Sequence, residues 1–503
     1  MGVGMRLRYL WLFLWLLCVP AAAQAAWFRV ETPNFIFYGT SPQSLKEDAL
    51  RLERFDAFLR QRFGLPTGRH ESKLLIYVLS SRAAIAQVYG GDGRDLGGFY
   101  TSNATGPTVV LSPVSAPDAE DVVLFHEYAH HLMLQYFPVA YPVWYVEGFA
   151  ELYATARFRR DRILLGLPAN HRAFDLLLSQ TTPIATLLTA SVADLPRAKV
   201  GNFYGRAWLL THMLNFTPSR AGQLTAYISA INKGTPPLAA AQQAFGDLDA
   251  LQKDMARHLE ARTTPYVSAV SSVPQDLKID VAQLSPSFGA TVLDRLRLLH
   301  PLSPEERTLI LGRLYQAATH YPQDAELWAL IAYAELQGDN TTASAVAADK
   351  AIALHPSFAR ALLWRGLADL RALGLKNETS EEAWKMARTW VVRANRADTE
   401  DPLPLFEYYR SFRRAGQKPS AVAVQGLAKA TALLPQADRF RFAYAYELAQ
   451  MGKFNEAAAY LRPIANAPHG GNRAQHAQLL IVELEKAAKG AANTLSHLQP
   501  GVD

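Results

Sequence analysis

The chain of 503 residues has a single cysteine, Cys18, little excess of either charge, and no apolar run long enough to cross a bilayer. Each scarcity excludes something. Without further cysteines no intrachain disulfide, zinc-thiolate knot or paired redox motif is available. The formal charge of +6 is small and dispersed, which argues against a nucleic-acid partner. Half of the residues are apolar and 19% are charged, values of globular chains and not of disordered ones. The length suggests about three structural units at roughly 150 residues each.

The longest apolar run, residues 9–19, follows Arg6 and Arg8 and precedes Pro20 and the small-x-small triplet Ala23, Gln24, Ala25. A basic start, a short apolar stretch and small residues read as a secretory signal peptide over 1–25, with Ala26 first in the mature chain. Its removal takes Cys18, Arg6 and Arg8 with it, lowers +6 to +4, and leaves no stable membrane span. Leu17 before Cys18 disfavours lipidation. A large exported chain without cysteine fits a bacterial periplasm.

Strand patterns at 27–30 and 35–38, a helical pattern over 42–62, and β-type runs at 73–79 and 109–111 make the first part α+β. We place this domain at 26–265 and a Pro- and Ser-containing linker at 266–304. Strand signals then give way to alanine-rich helices over 305–490. Pro322 and Pro356 lie 34 residues apart and Pro402 and Pro435 lie 33 apart, while Pro356 and Pro402 are separated by 46, one period plus an insertion. A period near 34, with small residues at Ala332, Ser344 and Ala351, is the signature of tetratricopeptide repeats, about four of them over 305–470. The run from Gly452 to Ala457 resembles that family's inter-helix turn, while Glu335 and Arg410 stand where apolar residues are common. The expected product is an all-α solenoid with a surface for a protein partner.

The chemistry concentrates in VVLFHEYAH, residues 122–130, behind a helix start at Ser115, Pro117 and Asp118. On a helix His126 and His130 share one face, and two neutral imidazoles suit a zinc ion. Glu127 projects beside them, where a carboxylate can take a proton from water. A two-histidine pattern can arise by accident among 13 histidines, so the stretch that follows carries weight. Trp144 to Glu151 reads WYVEGFAE, and the prolines at 138 and 142 allow the chain to turn back. Glu147 can then complete a His-His-Glu site with an open fourth position, and Glu151, one turn on, can bond the far nitrogen of an imidazole.

HEYAH followed by EGFAE resembles the gluzincin zinc metallopeptidases, and is especially similar to exported bacterial gluzincin-like domains that carry tetratricopeptide repeats behind them. The opening WFRVETPNF at 27–35 is similar to the start of those domains. The resemblance implies one Zn2+ per chain on His126, His130 and Glu147, Glu127 as the base, and Glu151 as support for a ligand. It also implies that Tyr204, in FYGRAWLL, opens a helix and faces the oxyanion. Val146 replaces a common asparagine, and no segment resembles the aminopeptidases' recognition of a free amine.

Other residues read more plainly. His131 lies roughly 100° around the helix from His130 and cannot share its metal; His212 reads as a core histidine, and His171 as a weak accessory donor. The 109–111 strand offers an edge to an extended peptide. The absence of a Gly-rich phosphate loop disfavours phosphoester chemistry. The expectation is therefore an exported zinc peptidase, an endopeptidase acting on a protein or peptide, with repeats that recruit substrate or partner. The alternative is a repeat-based adaptor with a structural or vestigial zinc site.

Overall fold

The computed structural model describes residues 25–66, 72–90, 97–103, 105–112, 117–190, 195–271, 277–466 and 471–489. The expected signal peptide lies outside the described residues except for Ala25, as does Ser115. The first part is built on a six-stranded mixed sheet whose strands lie side by side in the order 98–103, 106–111, 74–78, 35–39, 28–31 and 280–283. Strands β1 (Phe28–Glu31) and β2 (Phe35–Gly39) form an antiparallel hairpin, with Phe28 opposite Gly39. Helix α1 (Pro42–Phe63) crosses from β2 to the parallel β3 (Leu74–Val78). Helix α2 (Arg82–Tyr89) then precedes the antiparallel pair β4 (Gly98–Asn103) and β5 (Gly106–Leu111), and β5 runs parallel to β3.

Alternation along the strands sorts the side chains to two faces. Val30, Phe35, Phe37, Leu74, Ile76 and Val109 point into the larger core, beneath α1 and α3 (Pro117–Tyr136). Trp27, Tyr77, Phe99 and Val110 point into a smaller core on the opposite side. Helix α4 (Val143–Ala154) follows α3, and a second, three-stranded sheet joins β6 (Arg157–Arg159), β7 (Arg162–Leu165) and β8 (Val267–Val270). Short helices α5 (Ala173–Leu178) and α6 (Ile184–Thr189) lead to α7 (Arg197–Phe216), then α8 (Gln223–Asn232), α9 (Pro237–Phe245) and α10 (Leu248–Leu259).

The stretch 266–304, expected as a linker, is instead part of the fold. It supplies β8, the edge strand β9 (Asp280–Gln283) beside β1, and α11 (Pro286–Arg297). Phe288, Val292 and Leu296 of α11 cover the smaller core, which would otherwise leave apolar sheet in water. These strands escape a pattern search because their side chains are mostly exposed; pairing holds them, not burial.

Beyond α12 (Pro304–His320) the chain folds into four antiparallel helix pairs, a helical repeat region. They are α13 (Ala325–Gln337) with α14 (Thr341–Leu354), α15 (Ala359–Leu375) with α16 (Glu381–Ala397), α17 (Pro402–Arg414) with α18 (Ala421–Leu433), and α19 (Asp438–Gln450) with α20 (Phe454–Ala465). A last helix, α21 (Gly471–Ala488), packs on α20. The 46-residue interval has more than one origin: α15 and α16 have 17 residues each, against 13 and 14 in α13 and α14, the turn between them is longer, and Pro402 opens α17 whereas Pro356 precedes α15. Ala332, Ser344 and Ala351 are fully buried, and the Ser344 hydroxyl donates to the Ala332 carbonyl at 2.8 Å where the paired helices meet. Glu335 is tolerated inside because Tyr315 and Asn340 donate to it, and Arg410 because Glu407 pairs with it.

Candidate metal centre

Helix α3 divides the residues of HEYAH between two faces. Phe125 stacks on Phe55 of α1 with ring centroids 4.1 Å apart, and the buried Tyr128 donates its hydroxyl to Asp56 of the same helix. Asp56 is in turn paired with Arg60. That buried network fixes the rotation of α3, so His126, Glu127 and His130 face the cleft.

Helix α4 comes back past them because Gly148 permits it. A Cβ at that position would collide with Thr211 Oγ1 and the Ala207 carbonyl of α7. The close crossing brings Glu147 between the histidines and α7. Its Oε2 lies 3.6 Å from His126 Nε2 and 3.5 Å from His130 Nε2, and the two imidazole nitrogens are 3.1 Å apart. Among the described residues these three form the one His/Cys/Asp/Glu group whose ligand atoms converge. Glu147 Oε2 is buried and has no hydrogen-bond partner.

Such an arrangement is electrostatically incomplete. Burial alone would lower the pKa of His126, but the Glu147 carboxylate beside it and the charges of Glu151 and Glu127 outweigh burial and raise it to about 9. Burial would raise Glu147; the imidazoles beside it win and hold it well below the usual carboxylate range. Two nitrogen donors and one carboxylate, with no thiolate within reach, match the donor set of a hydrolytic zinc site with an open position. Glu127 behaves differently: burial dominates and raises its pKa, against the pull of His126 and His130, and the Tyr100 backbone N–H faces its carboxylate.

Glu151 Oε1 is 3.5 Å from His126 Nδ1, on the side away from the cluster. Arg172 holds the same oxygen at 2.5 and 3.1 Å, and His171 Nε2 lies 2.7 Å from Oε2. Sequence reasoning missed Arg172; its only signal was a basic pair ahead of a short helix. His171 is a partner of Glu151 in this arrangement. Tyr204 stands beside the cluster, its ring 6.4 Å from that of His126 and under the Arg172 guanidinium at 5.0 Å. It does not open its helix: α7 begins at Arg197, after Pro196, so Tyr204 projects from its interior. Burial, with the charge of Glu147 next, raises its pKa and keeps the phenol protonated.

The discounted histidines are elsewhere. His131 is buried against Tyr100 and Tyr128, with Nδ1 3.4 Å from the Tyr100 hydroxyl. His212 is fully buried in α7, where Nδ1 meets His258 at 2.8 Å and Nε2 faces the carbonyls of Gly166 and Pro265. The 109–111 strand is not an edge, since β5 is paired on both sides and buried throughout. The edge beside the cluster is β4, read in the sequence only as a Gly-rich stretch. A Cβ at Gly98 would meet Leu111 and the Val110 carbonyl of β5 and come within 2.9 Å of Val123 on α3, so glycine lets this strand fit between its neighbour and the histidine helix.

No known family profile matches the chain, and no curated protein is similar to it. Among solved structures, a thermophilic TPR protein of Thermus thermophilus matches at 18% identity and a TM-score of 0.31, over 35% of this chain and 92% of that one. Yeast Tom70 matches at 12% identity and a TM-score of 0.26, over 74% of this chain and 76% of that one. At these values the helix pairs of residues 325–465 carry the repeat assignment by their own geometry: this is a mostly helical chain with a mixed-sheet first part and a helical repeat region behind it.

Proposed function

We propose that the chain is an exported zinc-dependent peptidase. The observation that carries this reading is the orphaned, buried Glu147 oxygen between two imidazole nitrogens, a three-donor pocket completed by a divalent cation. His126, His130 and Glu147 would hold the ion, and when bound it supplies Lewis-acid polarisation of a water and of a scissile carbonyl. Glu127 takes the proton of the attacking water and delivers it to the leaving amine; its raised pKa makes it a stronger base than an exposed glutamate. The protonated Tyr204 donates a hydrogen bond to the developing oxyanion. The outer side of β4 offers backbone groups to an extended polypeptide lying across Glu127, which favours a peptide substrate. The cysteine-free mature sequence supports export to a bacterial periplasm. No helix among the described residues is long and apolar enough to cross a membrane.

The test pairs metal content with cleavage, on the chain lacking residues 1–25 and on its Glu127→Ala variant. Both are expected to hold about one zinc per chain, with cleavage of a denatured protein reduced about 100-fold or more in the variant. A second reading is an adaptor whose repeats carry the function, and the four helix pairs favour it as a surface for protein binding. Full zinc with no cleavage of any polypeptide would select the adaptor. A folded, zinc-supplied chain that binds none would remove the metal site.

A further inference from the structure

The repeat region does not trail away from the cleft. Its turn between α18 and α19 and its arginines bond to the elements around Glu127. Gln436 Nε2 donates to the Tyr100 hydroxyl on β4 at 3.0 Å, and Arg360 donates to the Thr105 carbonyl of the same hairpin at 3.0 Å. Gln135, near the end of α3, donates to the Leu433 carbonyl at 3.3 Å, and Arg441 reaches the Pro138 carbonyl at the same distance. The two arginines are themselves anchored: Arg360 pairs with the buried Asp401 at 3.3 Å, and Arg441 bonds the Pro435 and Tyr460 carbonyls.

Tyr100 is the residue where this interface meets the site. Its side chain takes the bond from Gln436 and lies beside His131 on α3, while its backbone N–H faces the Glu127 carboxylate. As an edge strand, β4 has ladder bonds only to β5, so on its outer side the Tyr100 anchor adds to the packing on α3 in setting its distance from that helix. We propose that Gln436 is a positioning residue for hydrolysis: through Tyr100 the repeat region fixes strand β4 against Glu127. The two parts of the chain then form one catalytic unit. This inference rests on the peptidase reading and adds to it a device that couples repeats to base.

The experiment uses the full mature chain and three variants, Gln436→Ala, Tyr100→Phe and the double substitution. Two readouts are taken: turnover of a peptide too short to reach the repeats, and deuterium exchange of residues 98–103 without added metal. The expected result is a kcat loss on the order of tenfold in each single variant and no further loss in the double. Zinc content stays at the parental value, and exchange is faster in β4 and unchanged in α4. If the repeats only recruited substrate, Gln436→Ala would raise KM for a long protein and leave short-peptide kcat untouched, which overturns the proposal. A rise in kcat would make the contact an inhibitory latch, and overturns it too. Unchanged exchange in β4 refutes the anchoring whether or not the chain cleaves anything. Faster exchange in a variant whose zinc-loaded parent is inert would instead sink the peptidase reading and, with it, the catalytic role of Gln436.

Discussion

Glu151 holds three neighbours at once: the far nitrogen of His126, the imidazole of His171 and the guanidinium of Arg172. Its own pKa is driven well below the carboxylate range, burial notwithstanding, chiefly by the Arg172 charge. A carboxylate so tied fixes the tautomer and ring angle of the imidazole it faces. Glu151→Ala is therefore expected to weaken zinc binding about 10–100-fold, measured by competition with a chelator. Binding should also depend on pH in a definite direction. With His126 raised to about 9 in the metal-free pocket, an entering cation must displace a proton at any lower pH. The apparent affinity should climb by about tenfold per pH unit from about pH 6 and level off near pH 9. A flat profile over that range would contradict the raised pKa of His126.

At the scale of elements, the site depends on how closely helices cross. Gly148 lets α4 lie on α7, which places Glu147 against the histidines of α3 and Tyr204 beside them. Gly148→Ala would push the two helices apart, since the added methyl meets backbone at Ala207 and not merely a flexible side chain. We expect a stability loss of about 1–3 kcal/mol in denaturant titration. Zinc affinity should fall with it, because the Glu147 carboxylate moves with its backbone. Both partners of this crossing were visible in the sequence as EGFAE and FYGRAWLL; that they cross at Gly148 was not, because the contact joins residues some sixty positions apart along the chain.

For the molecule as a whole, the boundary read near residue 265 is not where the first part ends. A fragment stopping at 265 would lack β8, β9 and α11, and would expose Trp27, Tyr38 and Tyr77 on one face of the sheet. Such a fragment is expected to be insoluble or to melt well below the full chain, whereas one extended past α11 keeps that face covered. Solubility and a thermal melt of the two fragments decide it.

The sequence by itself determined the local facts: the helix carrying His126, Glu127 and His130, the turn at the prolines, the return of Glu147 and Glu151, and the helical period of the repeats. Helical spacing and chain reversal are short-range properties, so a few adjacent residues specify them. Only the tertiary structure decided that β4 is the edge, that Arg172 and His171 hold Glu151, that the expected linker is sheet and helix, and that Gln436 reaches Tyr100. Those contacts join segments tens to hundreds of residues apart. Their energetics depend on burial and pairing that no local pattern encodes.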